Sequence, residues 1–212
     1  SRHMTDSEFV ESVRAANNTA LSRLGSSKSL YADTMGEMDV VEVLRAAATA
    51  EHHAAETYEA WAETAADDDV ADAFVETADE EHDHYDTVVG ELDDHDPGEV
   101  PAIQSYLRSL DDDIERLGGF VGRTLAAEKS KEQMTGFFVG KADPQTASLF
   151  RGMGDDLDAQ LERAISLLEA HCGDDEDCWD RAEEAASEAI QTAYEEYTER
   201  LESMGVNPKP VC

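Results

Sequence analysis

Two helical segments between Ala46 and Leu92 carry ionisable side chains on faces that are otherwise apolar. Residues three or four positions apart share one face of a helix, so Glu51 lies on the first stripe, and Glu81 and His84 lie on the second. The apolar members of the first stripe are Leu44, Ala47, Ala48, Ala55, Tyr58 and Ala62, and those of the second are Val70, Phe74, Thr77, Val88 and Leu92. The pattern predicts that the two carboxylates and the imidazole point into the interior.

Ionised carboxylates in an apolar interior are unstable unless a positive charge neutralises them. A divalent metal is a natural neutraliser, because carboxylate oxygen and imidazole nitrogen are good ligands for iron, manganese or zinc. One Glu from one helix and a Glu-x-x-His spacing on the next make up half of the ligand set of a di-iron carboxylate bundle. Glu51, Glu81 and His84 are therefore predicted to be metal ligands.

Two stretches carry a resemblance to a known family. They are Glu51-His-His-Ala-Ala-Glu-Thr-Tyr58 and Ala78-Asp-Glu-Glu-His-Asp-His-Tyr85, and the sequence around them resembles the rubrerythrin branch of the ferritin-like superfamily. The resemblance implies an all-α fold, a ferritin-like four-helix bundle built from two antiparallel helix pairs. It also implies a carboxylate-bridged metal centre that handles iron, dioxygen or peroxide.

Apolar periodicity and breaker residues divide the chain into segments. A single domain is expected over residues 4–204, after a cloning remnant at 1–3 and before a flexible tail at 205–212. Bundle helices are predicted at about 38–66, 67–92, 120–141 and 144–171. Extra N-terminal, crossover and C-terminal helices are predicted at about 7–24, 103–117 and 179–204, the crossover helix ending at Gly118-Gly119.

A weak internal repeat bears on the remaining ligands. When residues 120–168 are laid over 43–92, Glu51 falls on Glu128, which becomes a candidate ligand from the third bundle helix. Glu81 and His84 fall on Leu157 and Gln160, so this register gives the fourth helix no Glu-x-x-His. The sequence then predicts a degenerate site that holds one iron, manganese or zinc ion through Glu51, Glu81, His84 and Glu128. Ligation by Asp155, Asp156 or Asp158 is the less favoured alternative, which needs a rotated fourth helix.

The same residues also have a reading without metal. A protonated Glu81 or a histidine imidazolium could supply the hydrogen bonds of a buried polar cluster, as in a site that has lost its ion. The neighbouring His52, His53 and His82 fall off the inward stripes, so we expect them at the surface. Tyr58 and Trp61 are expected to be ordinary core residues.

Charge limits the possible partners. The chain has 212 residues, with 16 basic and 50 acidic side chains, and a formal net charge of −34. Such a charge repels nucleic acid and anionic membranes, and no apolar run is long enough to span a bilayer. Acidic residues spread between apolar stripes are typical of proteins from salt-loving archaea. A halophilic, cytoplasmic protein is expected.

The three cysteines, Cys172, Cys178 and Cys212, lack the CxxC spacing of a zinc or rubredoxin-type iron site. The four-cysteine iron module that the resemblance associates with rubrerythrin is therefore excluded from this sequence. Unpaired thiols are the favoured interpretation, and a local bridge between Cys172 and Cys178 stays open.

Three functions remain in view. The first is a rubrerythrin-like metal-binding protein with iron-dependent oxygen, peroxide or oxidative-stress chemistry. The second is a non-catalytic helical protein that acts through protein contacts in stress or regulation. The third is a di-iron-type hydroxylase. The resemblance and the surplus amphipathic helices also favour a homodimer, and the sequence does not decide whether the protein is an enzyme.

Overall fold

The computed structural model describes the backbone of residues 6–209 and the side chains of residues 8–209. Within that range the regular structure is helical, with no strand. In chain order the helices are α1 (Asp6–Ala16), α2 (Asn18–Leu24), α3 (Lys28–Asp33), α4 (Val40–Thr64), α5 (Asp68–Val89), α6 (Ala102–Arg108), α7 (Asp113–Gly140), α8 (Pro144–Cys172) and α9 (Glu176–Ser203).

The first bundle pair is the α4–α5 hairpin. The Asp39 side chain accepts a hydrogen bond from the Glu42 backbone N–H at the start of α4. The Asp67 side chain caps α5 by accepting from the backbone N–H groups of Asp69 and Val70. Such caps satisfy N–H groups that have no partner within the helix. The short turn between the helices makes them antiparallel neighbours, as predicted.

The second bundle pair is α7–α8, and the two pairs together form the expected all-α ferritin-like bundle. Asp112 caps α7, and Asp143 caps α8 with Pro144 in its first turn. Proline suits that position because its missing N–H would have no helical partner there. α9 lies along α7, so α7 packs against α9 as well as against α8.

The boundary between α6 and α7 differs from the prediction of a helix over 103–117 that ends at Gly118-Gly119. α6 ends at Arg108, and both glycines lie inside α7. Their role is packing against other helices: a Cβ at Gly118 would lie 2.1 Å from the Ala182 carbonyl oxygen of α9. A Cβ at Gly119 would lie 2.7 Å from the Leu107 side chain. The glycines allow close helix contact and do not end the helix.

The N-terminal region is also more divided than predicted. The expected helix over 7–24 is broken at Asn17, whose buried side-chain amide donates to the Val13 carbonyl oxygen and whose side-chain oxygen accepts from Gln191. The segment after Gly25 forms α3, which buries Leu30 and Ala32. In the segment expected to be a flexible tail, the Pro208 carbonyl oxygen accepts a hydrogen bond from the Tyr197 hydroxyl. Residues 1–3 and 210–212 lie outside the described range.

The expectation of unpaired thiols was wrong for two cysteines. Cys172 ends α8 and Cys178 lies in the first turn of α9, and a disulfide joins them. The tight α8–α9 turn places their Cα atoms 5.3 Å apart, within the range that a disulfide spans. The bridge therefore links α9 to the bundle. Cys212 lies outside the described residues.

The bundle interior has two apolar clusters. One includes Tyr58, Trp61, Phe74 and Phe120, and the other is built around Phe138, Phe150 and their aliphatic neighbours. Tyr58 and Trp61 are buried core residues, as predicted. Among residues 6–209, no helix combines the length and the apolar character that a membrane span requires.

Candidate metal centre

A layer of charged side chains lies between the two apolar clusters. Glu51 of α4 and Glu81 of α5 are fully buried, and His84 of α5 is 4% exposed. Glu51 has apolar neighbours on both sides along α4: Ala54 belongs to one apolar cluster and Ala48 to the other. The helical stripes thus place the charged groups where the sequence predicted, in the dry centre of the bundle.

Three atoms of this layer face one another. His84 Nδ1 lies 3.4 Å from Glu51 Oε2 and 3.7 Å from Glu81 Oε2. Each of the three atoms is buried and has no hydrogen-bond partner within the described part of the chain. Buried polar atoms without partners are uncommon, because they lose their hydration without compensation. Their convergence marks a place where a proton or a cation would be held.

The opposite edge of the His84 ring fixes its orientation. His84 Nε2 lies 2.7 Å from Asp156 Oδ2 of α8. A carboxylate at one imidazole nitrogen holds the proton there and leaves the other nitrogen free to ligate a metal. Asp156 was a less favoured candidate ligand, and its contact is with the nitrogen that points away from the three converging atoms.

The remaining carboxylate oxygens are bound by cations from α7. Lys131 donates from Nζ to Glu51 Oε1. Arg123 Nη1 donates to Glu81 Oε1 over 2.8 Å, and Gln160 Nε2 of α8 donates to the same oxygen over 3.0 Å. Both cations are buried. Each carboxylate therefore has one oxygen in an ion pair and the other oxygen turned to His84.

These contacts govern the protonation of the cluster. Burial opposes ionisation of Glu51, but the positive charges of Lys131 and Arg123 and the nearby His84 hold the pKa of Glu51 well below its usual value. Burial lowers the pKa of His84, yet the nearby Glu51 and Glu81 carboxylates outweigh it and raise that pKa to about 10. Glu51 is thus ionised, and without metal His84 carries a proton at neutral pH.

Glu128, the predicted fourth ligand, does not join the other three. Its carboxylate is half-buried and accepts from Arg14 of α1 at 3.3 Å. Burial raises the pKa of Glu128, and Asp158 raises it further against the opposing effect of Arg14. The buried stripe of α7 contains Arg123, Ala127 and Lys131, which places Glu128 about 100° around the helix from Ala127. The structure therefore puts a lysine and an arginine where the sequence predicted a carboxylate.

The converging atoms suit one metal ion and not two. Ligands about 2.1 Å from a tetrahedral ion lie roughly 3.4 Å apart, close to the observed 3.4 and 3.7 Å. Two carboxylate oxygens and one imidazole nitrogen are also a suitable donor set for iron, manganese or zinc. A second ion would need the outer carboxylate oxygens, which Lys131, Arg123 and Gln160 already occupy.

Residues 42–109 match the rubrerythrin family model. The rubrerythrin segment therefore begins in the first turn of α4, includes α5 and α6, and stops before α7. It contains Glu51, Glu81 and His84. No curated protein and no solved structure matches the chain significantly. The match and the fold support a ferritin-like helical protein with a possible carboxylate and histidine metal site, and rubrerythrins typically bind iron.

Several members of the cluster were missed in the sequence. Arg123 and Lys131 lie outside the rubrerythrin segment, and the sequence patterns predicted neither of them at the site. One signal was available: Arg123 is the single charged residue in the apolar run from Phe120 to Leu125, in a chain with few basic residues. A lone cation on a buried face needs a buried anion, and Glu81 was the available one.

A second group of possible ligand atoms lies beside the crossover. His52, His53 and Glu56 place ligand atoms within 4.8 Å of one another. The expectation of a surface His53 was wrong, because the segment after α5 covers its ring and Pro97 O lies 3.2 Å from its Nε2. Arg108 lies 3.5 Å from both His53 Nδ1 and a Glu56 oxygen, and this positive charge disfavours a metal there.

Proposed function

We propose that this protein is a ferritin-like metal-binding protein with a single divalent transition-metal ion held by Glu51 Oε2, Glu81 Oε2 and His84 Nδ1. The observation that carries the proposal is the meeting of these three buried atoms without other partners. Asp156 would hold the ring of His84 in the ligating orientation. Lys131 and Arg123 would hold the two carboxylates in place from the opposite side.

If the ion is iron, it would supply redox chemistry with dioxygen or peroxide. The residues of this chain would bind and orient it, and the surrounding apolar clusters would exclude bulk water. Glu128 is not included in the ligand set, since it pairs with Arg14. A di-iron hydroxylase is the less supported alternative, because two ions do not suit the occupied outer oxygens.

The non-catalytic alternative has one observation in its favour. Without metal, the charges of the cluster already balance: Glu51, Glu81 and Asp156 are matched by Lys131, Arg123 and a protonated His84. Such a cluster could remain as a structural element of a protein that acts through protein contacts. The homodimer, the cytoplasmic location and the halophilic archaeal origin remain proposals that rest on the sequence alone.

Elemental analysis of protein purified without chelator tests the metal proposal. About one equivalent of iron, manganese or zinc is expected in the parent protein. His84→Ala and Glu81→Ala should reduce it to a trace, whereas Glu128→Ala, which changes a carboxylate outside the cluster, should retain it. Only trace metal in the parent, even after incubation with each ion, would favour the metal-free alternative. Two equivalents per chain would overturn the one-ion assignment.

A further inference from the structure

A cavity of about 330 Å³ lies between α4, α7 and α9, with α3 and α6 at its edges. Arg123 and Lys131 line it, so the two cations that hold the buried carboxylates also form part of the cavity wall. Glu51 and Glu81 are not among its lining residues. The cavity therefore lies next to the charged cluster and shares Arg123 and Lys131 with it.

The three acidic residues of the wall, Asp33, Glu42 and Glu196, lie beside two arginines at the rim. Arg200 lies 3.5 Å from Asp33 and 3.2 Å from Glu196, and both acids line the cavity. Arg45 likewise donates to Glu42 over 2.7 Å. Among the described residues, the ion-pair partners of Arg123 and Lys131 are Glu81 and Glu51, which do not line the cavity. The wall thus presents two buried positive charges whose partners lie behind it.

The two cations have donor capacity beyond these partners. A lysine ammonium carries three N–H donors and an arginine guanidinium five. Glu51 accepts one from Lys131, and Glu81 accepts one from Arg123. An anion in the cavity could therefore receive further charge-assisted hydrogen bonds without displacing either ion pair.

Part of the remaining wall is apolar and would suit a hydrocarbon chain. Its apolar members include Leu24, Ile103, Ala126, Met134 and Ala193. The volume of about 330 Å³ corresponds to about eleven water molecules at ~30 Å³ each, so a ligand with roughly ten non-hydrogen atoms would fit. Cavities of this size with a few placed polar groups are typical small-molecule sites.

We propose that this cavity binds a small organic monocarboxylate with a short apolar chain. The carboxylate lies against Arg123 and Lys131, and the chain lies along the apolar wall. This inference does not depend on a metal in the neighbouring cluster. It adds a binding site for an organic molecule beside that cluster, and the two cations assigned to the carboxylate, Arg123 and Lys131, lie outside the rubrerythrin segment.

Calorimetric titration with octanoate, which has ten non-hydrogen atoms, tests the proposal. The protein is treated with chelator, so that the outcome is independent of metal binding, and kept in about 1 M KCl, where the net negative charge is screened beyond ~3 Å. Octanoate should bind with 1:1 stoichiometry and about tenfold or more tighter than octan-1-ol, since a carboxylate gains charge-assisted bonds that a hydroxyl lacks. Equal affinity for both would overturn the carboxylate assignment, and no octanoate binding would overturn the site.

A cavity-filling variant locates the binding. Ala126→Phe should weaken octanoate binding about tenfold or more, because the ring takes up space that the chain would occupy. Ala60→Phe, at an exposed position of α4 away from the cavity wall, is the matched control and should bind like the parent. If Ala126→Phe does not fold, as checked by circular dichroism, Ala193→Phe fills the cavity from α9. Unchanged octanoate affinity in a folded filling variant would place binding elsewhere and overturn the proposal.

Discussion

At the residue scale, the stability of the bundle depends on pairing within the charged layer. The Glu51 carboxylate is fully buried, and its ion-pair partner Lys131 is 4% exposed. Breaking a buried ion pair from one side leaves a charge without a partner, which is more destabilising than removing both charges together. The two cations of α7 are thus as much a part of this layer as the acidic residues that were predicted.

The variant Lys131→Met should lower the free energy of unfolding of chelator-treated protein by about 3–5 kcal/mol, because Glu51 is then buried without its cation. The double variant Lys131→Met/Glu51→Gln should lose less than the single one. Lys129→Met removes the same charge two residues away on α7 and is the control. Urea unfolding measures all three, and a Lys131→Met as stable as Lys129→Met would contradict the pairing.

The protonation of His84 should make metal-free stability depend on pH. Since the folded pKa of about 10 lies above the usual 6.5, the imidazolium stabilises the folded state fully below pH 6.5. That contribution should be lost as pH rises from about 6.5 to about 10. Denaturant unfolding across this range should show a decline in the parent and a shallower one in His84→Gln. A parent protein with no decline would indicate a neutral ring.

At the element scale, helix contacts place the cations. α7 approaches α9 closely because Gly118 and Gly122 face Ala182 and Ala186, so that backbone packs on backbone. This approach holds α7 at a fixed rotation, and that rotation turns Arg123 and Lys131 inward and leaves Glu128 beside α1. The glycines therefore contribute to the site through the position of a helix.

Replacement of Gly122 by alanine should be destabilising by about 1–3 kcal/mol, because the new Cβ would lie 2.2 Å from the Ala186 carbonyl oxygen and force the helices apart. Gly136→Ala is the matched control on the same helix, where a Cβ meets nothing within 4 Å. It should stabilise by up to about 1 kcal/mol through helix propensity. Thermal unfolding distinguishes the two, and the same sign for both would argue against the close α7–α9 contact.

The Cys172–Cys178 disulfide joins α8 to α9 across a separation of six residues. A loop this short should contribute about 2 kcal/mol, because little chain entropy is removed from the unfolded state. Cys172→Ser/Cys178→Ser should therefore remain folded with a modestly lower unfolding free energy. Parent protein under reducing conditions should match the double variant. Mass spectrometry of the unreduced parent showing two free thiols at these positions would contradict the bridge.

At the scale of the whole molecule, the net charge of −34 on 212 residues governs behaviour in salt. Repulsion between like charges disfavours the compact state, and salt screens it, since the Debye length falls from about 10 Å at 0.1 M to about 3 Å at 1 M. The unfolding free energy should rise as KCl is raised over this range. An equal osmolality of sucrose controls for general solute effects. Stability that falls with KCl would show that specific ion pairs outweigh the general repulsion.

Local patterns in the sequence were enough to predict the helical architecture and about half of the residues in the candidate site. Periodicity of three and four residues placed Glu51, Glu81 and His84 on buried faces, because local spacing on a helix is fixed by its geometry. Apolar periodicity and breaker residues placed most helix boundaries within a few residues. These are local properties, and a single helix contains all the information that they need.

The surroundings of those three residues depend on how helices that are distant in the sequence pack together. The rotation of α7 about its axis, set by its contact with α9, places Arg123 and Lys131 in the interior and leaves Glu128 beside α1. The way that α8 packs brought Asp156 and Gln160 to the site, and the crossover buried His53. These contacts depend on the fit between segments that are distant in the sequence. If a helix rotates about its axis by one residue step, about 100°, a different side chain faces the site and the charge of the site changes.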